Sequence, residues 1–509
     1  MMAVATAQGS LRTAWLEVPL AAGCGALAVL ALPPFSLPVV LPVAFGGLLL
    51  LVAGRGVPRA VLLGWAFGVA HFALGLSWIG ESFRVDADRF GHLALPAIAA
   101  LSAGLAVFPA LAAAGLAATR ARGLPGALVL AAAWAASEWL RGTVLTGFPW
   151  NLVAYAWSDF DIPRQAAAWT GSYGLGLLTV LMAALPVAAL VSGRRERIGA
   201  LALLVALASA AWIGGTLRLR ETPPDTATRV RIVQPNVPQS QKWDASLRAR
   251  NVARLLDLSA VPGAFDLLLW PETAYPGYIE EEPRTRDLVA ALLPPGGALL
   301  TGAVTRASGP DGPVYRNAVL ALDGSGDVVG RYAKHHLVPF GEYVPLRDFL
   351  PIERLAEGLG DFTPGPGPAT LALPGLPLVG PAICYEAIFP GRVVDPRDRP
   401  DWIFNATNDG WFGRSIGPRQ HLAAARMRAV EEGLPVVRAA NTGVSAVIDA
   451  DGRIAGRIEL GETGLLDVDL PAPRPATAFA RHGQAILAGL ILLCLLGAAC
   501  LRHPGRTTT

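Results

Sequence analysis

The sequence predicts a membrane-embedded α-helical bundle of eight spans joined to one α/β domain. Three observations carry this. The 509 residues are 53% hydrophobic and only 16% charged, too apolar for an ordinary soluble enzyme. Apolar stretches near the length of about 20 residues that a bilayer core demands fill the first 217 residues and recur once near the end. From residue 218 to 482, short apolar runs instead alternate with polar turns and helical patterns.

The spans fall near Leu16–Leu32, Leu37–Ala53, Ala60–Ile79, Leu93–Ala118, Leu124–Leu140, Ala166–Val191, Ile198–Leu217 and Ala485–Leu501. The first two are short and separated by Pro33-Pro34. The first apolar stretch lacks a cleavable-signal pattern and is followed by further spans, so it reads as a retained helix. This divides the chain into a seven-span bundle (1–217), a polar domain (218–482) and a last span with a short tail (483–509). Alternate loops carry arginine without acid: Arg55 and Arg59, Arg120 and Arg122, and Arg502 and Arg506 after the last span. A further basic loop holds Arg194, Arg195 and Arg197. Cytoplasmic loops are the basic ones, so residues 218–482 are expected outside the cytoplasm.

Within that segment, Val230–Val233, Leu267–Trp270, Ala298–Val304, Ala318–Leu322, Leu376–Ile383, Trp402–Asn405, Val436–Ala440 and Ser445–Ile448 have the length and composition of strands. Helical patterns lie at Ala245–Ser259 and Pro418–Glu432. Asp323-Gly324 and Asp451-Gly452 are hairpin signals. Thr363–Pro377, rich in Pro and Gly, is a loop.

The net charge of +3 does not point to nucleic acid. Of four cysteines, Cys24, Cys494 and Cys500 lie in apolar spans and read as small buried residues. Cys384 stands alone in the polar segment, at the end of an apolar run. No zinc spacing is present, and neither a metal nor a cofactor is expected. Two other reactive residues share the Cys384 setting. Glu272 follows the strand-like run ending at Trp270, and Lys334 sits in Tyr332-Ala333-Lys334-His335-His336. A thiol, a carboxylate and an amine supply a nucleophile, a proton acceptor and an oxyanion stabiliser, the last helped by the Tyr385 N–H. Singly, each has a plainer explanation as a core cysteine, a solvated glutamate or a surface lysine.

The combination with its surroundings is more specific. Gln234-Pro235-Asn236-Val237-Pro238-Gln239-Ser240-Gln241-Lys242-Trp243, Trp270-Pro271-Glu272-Thr273, the run Lys334–Pro345, Ile383-Cys384-Tyr385-Glu386, Asn408-Asp409-Gly410-Trp411-Phe412-Gly413 and Arg438-Ala439-Ala440-Asn441-Thr442-Gly443 occur in that order. With Glu138-Trp139-Leu140-Arg141-Gly142 and Gly147-Phe148-Pro149-Trp150, they make the chain resemble the apolipoprotein N-acyltransferases. These are a membrane branch of the nitrilase, or carbon–nitrogen hydrolase, superfamily.

The resemblance implies a nitrilase-like αββα sandwich with a catalytic triad of Glu272, Lys334 and Cys384. It implies that Cys384 takes an acyl chain from a phospholipid as a thioester. The amine of an S-diacylglyceryl cysteine at an apolipoprotein's N-terminus then accepts it. Glu272 is the implied base and then acid, with Lys334 and the Tyr385 N–H at the oxyanion. Glu342 supports the site, and Trp243, Tyr385 and Glu386 match positions around the pocket. The implied location is the bacterial inner membrane, with the catalytic domain periplasmic. His335 departs slightly, standing where the family carries a basic residue.

Plainer explanations exist for the secondary residues. Trp243 can start a helix and pack on the core, and Glu342 can be an exposed loop acid. His335 and His336 read as loop or core residues, and His421 as packing or bonding on its helix. Glu138 and Arg141 read either as a snorkelling pair at a span end or as the entrance to a lipid groove. Two other functions compete: a membrane-tethered amidase, for which one span would suffice, and a transporter, which the scarcity of ionisable residues in the spans disfavours.

Overall fold

A computed structural model describes residues 2–221, 223–310, 312–345 and 361–502, with side chains from residue 16 onward. The chain forms two compact units: Met1–Ser77, Leu95–Arg220 and His482–Thr509 in one, Trp78–Ala94 and Glu221–Arg481 in the other.

The first unit is helical. Among the described residues, six helices are long and apolar enough to cross a membrane: Val57–Gly75, Ala87–Thr119, Gly123–Arg141, Ala167–Val191, Arg194–Arg218 and Ala485–Arg502. The expected first two spans appear as shorter apolar segments, Leu16–Val29 and Pro38–Val52. Three prolines between them, Pro33, Pro34 and Pro38, lack the N–H that would continue a helix. The expected span Leu93–Ala118 is two consecutive helices, Ala94–Leu105 and Val107–Thr119. Phe45, Phe67 and Trp134 interlock inside the bundle, the Phe45 and Trp134 rings meeting edge-on at 4.7 Å. Glu138 and Arg141 do not snorkel; each is 3% exposed. Arg141 donates to the carbonyls of Phe148 (2.6 Å) and Trp150 (2.7 Å), and Glu138 accepts from the Val153 N–H (3.0 Å). The pair thus folds the Gly147–Trp150 segment back onto the helix Gly123–Arg141, satisfying backbone groups that lipid would leave unpaired.

The second unit contains eleven strands: β1 (Asp225–Gln234), β2 (Leu267–Trp270), β3 (Ala298–Gly309), β4 (Gly312–Asp323), β5 (Val328–Ala333), β6 (Val379–Ile383), β7 (Trp402–Thr407), β8 (Val436–Ala440), β9 (Ser445–Ile448), β10 (Ile454–Ile458) and β11 (Gly464–Pro471). They build one sheet in the order β11-β1-β2-β3-β4-β5 and another in the order β10-β9-β8-β7-β6. The centre of each is parallel, β1 to β3 and β6 to β8, and the margins are antiparallel. Parallel strands are covered on both faces, which is why β2 reads Leu-Leu-Leu-Trp with no polar residue.

Side chains alternate across a strand, and β2 shows where each face points. Leu267 and Leu269 join Val230, Ile232, Val379, Ile383, Trp402, Phe404 and Val437 in a core between the sheets. Leu268 and Trp270 join Leu255 and Val289, from the helices Arg248–Ser259 and Pro283–Ala290. On the far side, Ile403, Val436 and Ile448 pack against Ala425 and Ala429 of the helix Gly417–Glu432. The four layers, helices, sheet, sheet and helix, are the expected αββα sandwich. Both hairpin signals hold. Asp323 starts the β4–β5 turn, where its carboxylate accepts from the Ser325 and Asp327 N–H groups. Asp451-Gly452 lies between β9 and β10.

The sheets are also stitched by polar bonds. Gln234 at the end of β1 accepts from the Ser445 hydroxyl (2.6 Å) and donates to the carbonyls of Glu459 and Glu462. Asn441 past the end of β8 exchanges two bonds with the backbone of Val237. Leu269→Ala empties a site between the sheets and is expected to destabilise the domain by about 2–5 kcal/mol. Thermal unfolding of the purified full chain in detergent checks this; an unchanged midpoint would contradict the packing described.

Candidate active site

The candidate residues lie at the C-terminal ends of strands, where chains leave the sheets. Glu272 follows β2 by two residues, Lys334 directly follows β5, and Cys384 directly follows β6. Gly302 on β3 shapes the first of these. A Cβ there would lie 2.4 Å from the Glu272 Cα, so only glycine lets the two backbones approach. Lys334 is fixed through its backbone: its N–H donates to the Asn317 carbonyl, and its carbonyl accepts from Gly365 (2.8 Å each).

The Lys334 ammonium is 1% exposed and lies between two carboxylates, Glu272 at 3.4 Å and Glu342 at 2.9 Å. Asn317 on β4 completes the group, its amide donating to Glu272 (2.7 Å) and Glu342 (2.8 Å). Glu342 also accepts from the Val338 N–H (2.8 Å), which rules out an exposed loop acid. Burial alone would lower the Lys334 pKa; the charges of Glu342 and Glu272 overcome it and hold the amine above its ordinary value, fully charged.

Cys384 adopts a left-handed backbone, φ +48°, at the turn from β6 into the short helix Cys384–Ile388. For a residue with a Cβ this conformation costs about 1–3 kcal/mol, and it persists only where the surroundings impose it. Two buried networks do so. Glu386 accepts from the N–H groups of Ile383 (2.7 Å), His335 (2.8 Å) and His336 (3.2 Å) and from the Tyr332 hydroxyl (2.9 Å). It therefore ties the end of β6 to the end of β5. Burial would raise its pKa, but the bonds and charge of His335, with the Ile383 N–H, hold it below the ordinary range. On the other side, His421 Nε2 donates to the Cys384 carbonyl (3.0 Å) while Nδ1 contacts Asp409 (2.8 Å). Asp409 is paired with Arg438 (2.6 Å), which also donates to Asn405 (2.6 Å). A Cβ at Gly443 would lie 2.3 Å from an Asp409 oxygen, so glycine is required there as well.

Burial, with the charge of Glu272, pushes the Cys384 thiol up to about 12, against the opposing charge of Lys334. The resting thiol is protonated at neutral pH, so attack needs a base. Ligand atoms of Cys384, Asp409 and His421 lie within 4.8 Å of one another, the geometry of a metal cluster. Two of the three already have partners: the Asp409 oxygens bond His421 and Arg438, and His421 Nε2 donates to the Cys384 carbonyl.

The other expected residues are placed as follows. Tyr385 is buried and packs edge-on to Phe389 (5.1 Å) and beside His336 (5.7 Å). His336 lies on Phe389 (3.8 Å), and His335 bonds Glu386. Trp243 is 47% exposed, so it does not pack into the core. Sequence reasoning gave no site role to Asn317, Asp409 or Lys242. Asn317 lies in an unremarkable strand, whereas Asp409 and Lys242 both stood inside quoted motifs. It also under-read His421, whose bonds reach off its own helix.

The sandwich and its strand-end thiol define the class: residues 229–477 match the carbon–nitrogen hydrolase family. Residues 24–185 match the apolipoprotein N-acyltransferase N-terminal domain. The chain is 42% identical to the apolipoprotein N-acyltransferase of Rhodopseudomonas palustris, over 95% of each chain. It is 41% identical to that of Bradyrhizobium diazoefficiens, over 96% of each. An amidase from Nesterenkonia sp. aligns with a TM-score of 0.38 at 23% identity, over 53% of this chain and 97% of that one. The chain therefore belongs to the apolipoprotein N-acyltransferase family and is an N-acyltransferase carrying a carbon–nitrogen hydrolase domain.

Asp409 gives a prediction with a defined sign. Burial would raise its carboxyl, but Arg438 and His421 hold it at about 2, against an ordinary 3.8. A depressed acid contributes stability that is present above the unfolded value and lost as pH falls through the folded one. Asp409→Asn, which leaves Arg438 without its counter-charge, is expected to cost about 3–5 kcal/mol at pH 7. The gap from wild type narrows as pH drops from 3.8 toward about 2. Thermal unfolding across pH checks this; a gap independent of pH would assign Asp409 a neutral packing role.

Proposed function

We propose that the chain transfers an acyl group from a phospholipid to the N-terminal S-diacylglyceryl cysteine of apolipoproteins, through a thioester on Cys384. The observation that carries this is the buried Lys334 held between Glu272 and Glu342, with the charges of Lys334 and Glu272 both acting on the Cys384 thiol. Glu272 accepts the thiol proton as Sγ attacks the ester carbonyl. The oxyanion forms under the Lys334 charge, which is worth more in a water-excluded site. Collapse breaks the C–O bond, Glu272 returns the proton to the leaving alkoxide, and a lysophospholipid departs. The lipoprotein amine then attacks the thioester, Glu272 takes its proton, and the thiolate leaves and is reprotonated. Glu342 and Asn317 fix the Lys334 and Glu272 side chains in both steps. Membership of the family supports the acceptor class, and the apolar helices support a lipid donor drawn from the same membrane.

Cys384→Ser is expected to abolish turnover and to leave no hydroxylamine-sensitive label after incubation with acyl-labelled phospholipid. Near-normal activity, or label on Cys24, Cys494 or Cys500, would sink the assignment. Glu272→Gln keeps size without basicity and is expected to slow acylation about 10²–10⁴-fold. Lys334→Met keeps length without charge and is expected to slow it about 10²–10³-fold. Single-turnover acylation measures both, and a normal rate removes that residue from the triad.

The same proposal places the chain in the bacterial inner membrane with residues 218–482 on the periplasmic side, supported by the arginine-bearing loops. A cysteine introduced at Asp323 is expected to react with an impermeant label from outside, and one at Arg195 only after permeabilising the inner membrane. The opposite pattern overturns the orientation.

A further inference from the structure

The candidate site holds a second buried cation. Lys242, just past the 3₁₀ turn Gln239–Gln241, is 4% exposed. Its ammonium donates to the Glu272 carbonyl (2.9 Å) and the Thr273 hydroxyl (2.6 Å). Those two residues form the turn that carries the Glu272 carboxylate, and Thr273 has a left-handed backbone, φ +45°. Both acceptors are neutral. A buried ammonium needs formal negative charge nearby, and Glu272 and Cys384 are the groups that favour its charged form.

Charge counting gives the cation a role. Glu272 and Glu342 share the single ammonium of Lys334, leaving one net negative charge. Of the other acids around the thiol, Asp409 is matched by Arg438, and Glu386 is held by hydrogen bonds from three backbone N–H groups and the Tyr332 hydroxyl. A thiolate or oxyanion at Cys384 would bring the uncompensated charge to two. With Lys242 counted, the two lysines balance Glu272 and Glu342, and the charge appearing in the reaction is the only excess among these groups.

We propose that Lys242 is a positioning residue for the thiol chemistry, clamping the turn that carries Glu272 and offsetting the negative charge that develops at Cys384. The inference rests on reading Cys384 as the nucleophile. Burial lowers the Lys242 amine to about 8, partly opposed by Glu272 and Cys384, so the charge is present at neutral pH and lost just above it. Facing it or the thiol are Glu272 after β2, Lys334 after β5, Glu342, Asp409 and His421.

The test is the rate of Cys384 alkylation by iodoacetamide, read by peptide mass mapping of the purified full chain from about pH 6 to about pH 10, since the thiolate is the reacting form. In wild type the logarithm of the rate rises with pH and bends to a shallower slope near pH 8, where Lys242 loses its proton. Lys242→Met is expected to alkylate about tenfold more slowly at pH 7 and to lack the bend. Lys242→Arg is expected to restore the pH 7 rate and also to lack the bend, because guanidinium stays charged. A wild-type rate and bend in Lys242→Met overturns the proposal, as does a retained bend in Lys242→Arg. Should Lys242→Met not be recovered folded, Thr273→Val removes one bond of the clamp and keeps the ammonium. The bend is expected to persist there, and its loss would overturn the charge role. A Cys384→Ser chain that still transfers acyl groups removes the nucleophile assignment itself. Wild-type alkylation in Lys242→Met with an inactive Cys384→Ser removes this inference alone.

Discussion

The buried contact of Lys334 with Glu272 and Glu342 is the constraint on which the catalytic unit depends. Taking an ammonium out of water costs several kcal/mol even after relaxation. Two carboxylates within 3.4 Å and an amide shared between them offset that cost. The carboxylates come from the turn after β2 and from the segment after β5, and the amide from β4. A slip of one residue in β4 against β5 would turn Asn317 to the opposite face. It would leave two acids and a lysine with a bond missing. The long apolar pairing of β3 with β4, and of β4 with β5, therefore has to be in register before the site exists at all.

The thiol is held by a different device on the other sheet. Cys384 occupies a backbone conformation unfavourable for it, so the restraint must come from neighbours. Glu386 supplies it by accepting from three backbone N–H groups and a hydroxyl at two strand ends, and His421 supplies it by bonding the Cys384 carbonyl. Neither group needs to touch a substrate to matter. Each converts the packing of the sandwich into the position of one sulfur atom.

Much of this was legible in the sequence, and what was missed has physical causes. The central strands were visible because both of their faces are buried: Leu267–Trp270 and Val436–Ala440 carry unbroken apolar or small residues, apart from Arg438, whose buried pairing with Asp409 replaces solvent. β5, β10 and β11 escaped notice because they lie at sheet margins, where most side chains are half-buried or exposed and Gly, Arg and Asp interrupt the pattern. Glu272, Lys334 and Cys384 were legible as reactive types at strand ends. Asn317 was not, since an asparagine in a strand looks like an ordinary polar position until the fold sets it between two acids. Glu138 and Arg141 were readable as a pair, but their burial depends on the returning loop Gly147–Trp150, which no periodicity reveals.

The protonated state of the resting thiol connects these features to the chemistry. A thiolate preformed by strong neighbouring cations would be a persistent nucleophile, open to oxidation. Here burial and the charge of Glu272 keep the proton on sulfur, and Lys334, which opposes them, is itself bound between two acids. In the proposed mechanism the nucleophile then appears only when an electrophilic carbonyl is present to take electron density from sulfur, at the moment Glu272 takes the proton. The same balance serves the second half-reaction, because a thiol that prefers its proton is a better resting state once the amide has formed. In the proposed mechanism a carboxylate that takes the proton as attack begins, rather than a preformed thiolate, lets a single cysteine give up its acyl group after accepting it.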